Sequence, residues 1–267
     1  MDINKFPNPK LDLPEELRDS ANKAATESFA AVENYLNSVG EYIYTNINLD
    51  YQRSDPKHIH AWIQRIISAN VLRSLYLRNA FVEAFNSRNT VGIFLPLKAW
   101  FEVVGALASI LDLLESGLSA NDLFEKLQPY ALGNRGKGKL RVGTTDAVNV
   151  ATMMEKADKY IEKMRKESAA HSKDDKPDNF FTDFYDVASN PSHPSFDANG
   201  VVGVLQYGGI WHAKEPDEVN AGITEELPGY GALLMAPLFV ENICQKISKI
   251  EAEHFSSLGS PKFFEEK

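Results

Sequence analysis

Tyr185, Ser189 and His193 stand four residues apart, and Pro191 and Pro194 restrict the turn that carries His193 after a short aromatic segment. An imidazole titrates near neutrality, so His193 there is either a proton donor and acceptor at a polar pocket or a turn residue bonded to nearby carbonyls. Lys98, Glu102, Gly105, Ser109 and Asp112 project within about 40° of one line on a helix, a polar stripe on an otherwise apolar cylinder. That stripe is either the wet face of a central helix or the wall from which Glu102 turns inward to pair Arg73. Arg73 falls in the middle of the apolar face expected for the preceding helix, so its guanidinium needs a carboxylate or a row of carbonyls opposite it. Arg73, Lys98, Glu102, Tyr185 and Ser189 therefore form the candidate polar cluster.

A second chemistry is suggested by the loop 133–143, where Arg135, Lys137, Lys139 and Arg141 alternate with four glycines and no acid. Gly133-x-x-x-x-Gly138-Lys139 matches a phosphate-cradling loop until Leu140, which stands where a hydroxyl would hold magnesium. A helix rather than a strand precedes it. The expectation is a surface loop whose four cations contact phosphate or an acidic partner. His58 and His60 diverge by about 200° on a helix and share no metal from that element alone. Glu251-x-x-His254 has the spacing of half a carboxylate di-iron site, but the chain holds no second such pair. Neither a Gly-x-Ser-x-Gly elbow nor a His-Glu-x-x-His helix occurs, so the expectation is no metal and no cofactor.

The elements that must position these residues follow from composition and periodicity. The 267 residues are 43% hydrophobic and 24% charged, proportions of a folded globular chain. Against 28 Lys and Arg stand 37 Asp and Glu, a formal charge of -9 that disfavours coating of a nucleic-acid duplex by overall positive potential. A lone cysteine, Cys244, excludes an internal disulfide framework and suits a reducing compartment. Met1-Asp2-Ile3-Asn4-Lys5 shows no apolar run, so the expectation is no secretory signal and a cytoplasmic location.

Pro7, Pro9 and Pro14 predict an extended tail over 1–13, and helical periodicity predicts a single helical domain over 14–256 with a second tail at 257–267. A first helix runs from Glu15 to Gly40. A second starts at Pro56, with Ser54 and Asp55 as caps, and runs to about Asn89. Ile59, Trp62, Ile63, Ile66, Leu77, Ala80 and Phe81 form its expected buried stripe. A third, from about Val91 to Ser116, is the most apolar segment. Its longest uncharged interval, 103–111, falls short of the ~20 residues that span a bilayer, so it reads as a buried helix with no membrane role. A fourth spans Ser119 to about Ala131, and a fifth begins at Thr144 or Thr145 and ends near Arg165. Phe180, Phe181, Phe184 and Tyr185 anchor a short sixth that Pro191 terminates. Gly208-Gly209 between two β-type runs signals a hairpin near 204–213. The last helix covers about Gly229 to Phe255, burying Leu233, Leu234, Leu238, Ile243, Ile247 and Ile250. The architecture expected is an all-α bundle of six or seven helices with that hairpin inserted.

The residues 72–74 and 97–102, with Phe184-Tyr185-Asp186-Val187-Ala188-Ser189-Asn190-Pro191-Ser192-His193-Pro194-Ser195, resemble bacterial HEPN-like and abortive-infection-related helical families. In these a buried-helix Arg, an (Arg/Lys)-x-x-x-Glu helix and a Tyr-x-x-x-Ser-x-x-x-His-Pro turn recur. The resemblance implies an all-α bundle, frequent homodimerisation and, in the active HEPN branch, metal-independent RNA cleavage by an Arg followed after four to six residues by His. Arg165 with His171 has that spacing, and so has Arg53 with His58 or His60. On one continuous helix Arg165 and His171 point about 120° apart, so they converge only across a helix break. Two functions follow as expectations. One is a non-catalytic module that binds a partner protein or small ligand in a prokaryotic defence or stress system. The other is an endoribonuclease in which His171 or His193 serves acid–base chemistry and Arg165 or Arg73 stabilises phosphorane charge.

Overall fold

A computed structural model describes residues 6–13, 23–44, 47, 56–132, 146–167, 179–189, 203–206, 210–213 and 236–255. Seven α-helices occur among them. They are α1 (Lys23–Val39), α2 (Pro56–Asn86), α3 (Thr90–Glu115), α4 (Ala120–Leu132), α5 (Val150–Glu167), α6 (Phe180–Ser189) and α7 (Ala236–Phe255). Two short strands, β1 (Gly203–Gln206) and β2 (Ile210–Ala213), pair antiparallel with Gly203 opposite Ala213 and Gln206 opposite Ile210. Residues 207–209 between them lie outside the described residues, as do the basic loop 133–143, the capping candidates Ser54 and Asp55, and the tail 257–267.

The apolar sequence of α3 puts it at the centre, packed against α2, α5 and α7 and, over shorter lengths, α4 and α6. Trp100, Phe101, Val103, Val104, Leu107 and Ile110 are completely buried along it. By length and composition α3 is apolar enough to cross a membrane, yet 67% of its most apolar window is covered by the chain's own helices. Asn89 caps its start by accepting from the Gly92 N–H at 2.8 Å. At the end of α2, Asn89 N donates to Ala84 O and Arg88 N to Phe85 O, with Arg88 at φ 56°. This is a Schellman ending with an arginine in the left-handed position that glycine favours.

The buried stripe of α2 is not the straight one expected. Ile59, Ile63, Ile67, Val71 and Leu75 advance in steps of four, and so do Ser74, Arg78 and Val82. Each step of four turns the stripe by about 40° on a helix of 3.6 residues per turn. By the middle of α2 it has left the line through Arg73 and Ala80, both of which are exposed. The arginine in the core is therefore Arg78, 1% exposed, and not Arg73. A winding stripe is what a long helix needs when successive stretches face different partners.

The first segment also departs from expectation. Residues 6–13 are extended, as their prolines require, but they form a strap on α2 and not a free tail. Phe6 and Leu11 are buried, and the Phe6 ring meets Tyr76 edge-on at 5.0 Å. Asn79 Nδ2 donates to Pro7 O at 2.7 Å, Asn86 Nδ2 donates to Lys10 O at 2.8 Å, and Asn86 Oδ1 accepts from Asp12 N at 2.8 Å. Two apolar residues placed four to six apart among prolines were enough to dock it, because extended backbone beside asparagine amides leaves few main-chain groups unsatisfied. In α7, Leu238 is exposed while Val240, Ile243, Cys244 and Ile247 are buried.

Candidate functional site

The polar stripe of α3 faces other helices over most of its length. Glu102 Oε2 accepts from Arg73 Nη2 at 3.1 Å, and its Oε1 accepts from the Tyr185 hydroxyl at 3.4 Å. Lys98 Nζ lies 5.6 Å from the centre of the Tyr185 ring, a cation over a π face. One turn on, Gly105 and Ser109 are buried, and Ser109 Oγ donates to Gly105 O at 2.8 Å. At the far end Asp112 accepts from Lys156 at 2.7 Å and Lys159 at 2.6 Å. Burial pushes the Asp112 carboxyl up, but these two lysines outweigh it and hold the group below its ordinary value. The stripe is a seam that fastens α3 to α2, α5 and α6.

Four of the five cluster residues thus meet, and Ser189 is buried at the end of α6 one turn beyond Tyr185. Arg73 keeps 49% and Glu102 20% of its side chain exposed, so the pair sits at the surface of the seam. An exposed pair of this kind contributes about 0–1 kcal/mol. Asp158 of α5 anchors the start of α6, accepting from Phe181 N at 2.6 Å and Thr182 Oγ1 at 2.7 Å. A carboxylate there complements the helix dipole, and Phe101, Phe180, Phe181, Phe184 and Phe239 pack behind it.

Of the residues expected to act on protons, Arg165 is exposed in the last turn of α5, whereas His171 and His193 lie outside the described residues. So do Arg135, Lys137, Lys139 and Arg141. No group of three metal-ligating side chains occurs among the described residues.

The structure adds a histidine site that periodicity did not reveal. His60 Nδ1 and Glu251 Oε1 are 2.7 Å apart, and Gln64 Nε2 lies 2.8 Å from His60 Nε2. Gln64 is one turn after His60 on α2, while Glu251 arrives from the end of α7, 191 residues away. With the Gln64 amide donating, the ring is neutral and its Nδ1–H donates to the carboxylate; with that amide turned over, its oxygen accepts from a doubly protonated ring. Glu251 is 4% exposed, and His60 retains 22% of its side-chain surface. A buried carboxylate behind a partly exposed imidazole fixes ring orientation, the arrangement a general base requires. The same pair equally fastens α2 to α7. The two sites are separate, since His60 and Arg73 are about 20 Å apart along α2 at 1.5 Å per residue.

Burial pushes the Glu251 carboxyl above the ordinary glutamate value, with the His60 hydrogen bond and charge opposing more weakly. A carboxyl raised in this way supports the fold while protonated. Its contribution is full below the ordinary glutamate value and is lost as pH rises through the raised one. The urea midpoint of the wild type should therefore fall with rising pH across that window, and the Glu251→Gln variant should show a flatter profile. Parallel profiles for the two proteins would assign the slope to other groups.

The third site is the buried arginine. Arg78 Nε donates to Val32 O at 3.0 Å and Nη1 to Asn79 Oδ1 at 3.0 Å, but Nη2 has no hydrogen-bond partner. No carboxylate among the described residues forms an ion pair with it. Burial lowers the tendency of the guanidinium to stay charged, and Glu33 opposes this through space. A buried polar group left without a partner costs about 1–3 kcal/mol. Cys244 is an inert core thiol, pushed up by burial and then by Glu241.

No family model matches the chain, and no curated protein or solved structure matches it.

Proposed function

We propose that this chain is a non-catalytic helical module that binds a partner protein or small ligand. The observation that carries this reading is the closure of the Arg73, Lys98, Glu102 and Tyr185 cluster on itself. Its carboxylate is engaged by Arg73 and Tyr185, and Lys98 lies over the Tyr185 ring, so the groups that could meet a substrate phosphate are spent on joining three helices. The short-motif resemblance to HEPN-like and abortive-infection proteins suggests a prokaryotic defence or stress setting for such a module, and homodimerisation with it.

A second reading, metal-independent RNA cleavage, is favoured by the Glu251-backed imidazole of His60, which follows Arg53 at the spacing of the active HEPN branch. One assay separates the two. Purified protein is incubated with total RNA and tRNA in EDTA beside His60→Ala, His171→Ala and His193→Ala, each checked for folding by circular dichroism. The module reading expects intact RNA throughout. Cleavage by the wild type that disappears in one folded variant would replace it with a ribonuclease and identify the histidine.

A further inference from the structure

We propose that the strap 6–13 occupies a groove on α2 that takes an extended acidic peptide from a partner protein, with Arg78 as the receptor for its carboxylate. This rests on the module reading and specifies its partner. Asn79 and Asn86, seven residues apart on one face of α2, hold the strap by its main chain: Asn79 through Pro7 O, and Asn86 through Lys10 O and Asp12 N. Amides that grip peptide groups accept many sequences in extended form. Arg88 adds a contact to Asp12 O.

What the strap does not supply is charge. Arg78 is linked to it through Asn79, whose Oδ1 takes Nη1 while its Nδ2 holds Pro7 O. Nη2 is left without a partner, and on the strap itself Asn8 Oδ1 is also buried without one. A donor and an acceptor are thus both unsatisfied where the strap covers α2. The strap fits the groove by shape and main chain and leaves its cation unanswered. A segment with a carboxylate near the position of Asn8 would answer it with a charge-assisted hydrogen bond.

The test uses the full-length protein and two synthetic peptides labelled for fluorescence anisotropy, one with the sequence of residues 6–13 and one carrying Asn8→Asp. Both must compete with the tethered strap, so the parent peptide should bind weakly. The acidic peptide should bind about tenfold more tightly, and the preference should vanish in Arg78→Met. Because that variant could lose its fold, Asn8→Asp is also placed in the full chain. There it should slow amide exchange of residues 6–13 and weaken binding of the acidic peptide, each by about tenfold. Absence of binding by either peptide, equal affinities, or faster exchange in the Asn8→Asp chain would overturn the groove. Any of these leaves the module reading standing, whereas RNA cleavage by the wild type removes that reading without altering the peptide result.

Discussion

Arg78→Ala should lower the unfolding free energy by about 4 kcal/mol, whereas Arg78→Met should cost less than about 2 kcal/mol. The difference comes from what each leaves behind. Alanine empties the volume of a side chain that is 1% exposed, and it orphans Val32 O and Asn79 Oδ1, the acceptors that Arg78 now satisfies. Methionine refills most of the volume and also removes a buried cation with no carboxylate beside it. That removal offsets part of the lost hydrogen bonding, since desolvating an unpaired charge opposes folding. Urea unfolding followed by circular dichroism measures both. If alanine and methionine cost the same, the hydrogen bonds to Val32 and Asn79 hold α1 to α2 and the packing of the stem contributes little.

Arg78 also shows where reading the sequence stops. A fixed turn of 100° per residue assigned the buried arginine to position 73, because the apolar residues at the two ends of α2 were joined by a straight line. The stripe winds, since α2 meets α4, α7, α3, α1 and the strap along its length. That sequence of partners is tertiary information, and a periodicity computed on one helix does not contain it. Helix positions were legible for the opposite reason. Pro56, the uncharged run in α3 and the Met153, Met154, Ala157, Tyr160 and Ile161 face of α5 are local signals that act within one or two turns. The His60 and Glu251 pair has no local signature. Its members are 191 residues apart, and Glu251 was read with His254 on its own helix because spacing arguments see only neighbours in sequence. The strap was missed because prolines report an extended backbone without reporting whether anything covers it. Phe6 and Leu11 were the available hint, two large apolar residues in a stretch expected to be solvated.

The tightest point of the bundle yields the second large effect. A Cβ at Gly105 would stand 2.4 Å from Met154 Cε, 3.0 Å from Met153 Cβ and 3.0 Å from the carbonyl oxygen of Met153. The thioether end of Met154 is flexible and can swing aside, but the Met153 carbonyl belongs to the backbone of α5 and moves only with the helix. Gly105→Ala gains about 1 kcal/mol of helix propensity, against about 1–3 kcal/mol for overpacking, so a net loss near 1 kcal/mol is expected. Gly105→Val adds two methyl groups to the same contact, gains little propensity because of its β-branch, and should cost about 3 kcal/mol. It must part α3 from α5, and the seam fastened by Asp112 to Lys156 and Lys159 lies two turns along the same face. The measurable consequence is coupling. In the background of Asp112→Asn the valine should cost less than in the wild type, because a seam already loosened has fewer bonds left to break. Additive losses in that double-mutant cycle would mean that Gly105 and Asp112 hold α5 independently, and that the polar stripe of α3 is a row of separate contacts and not one seam.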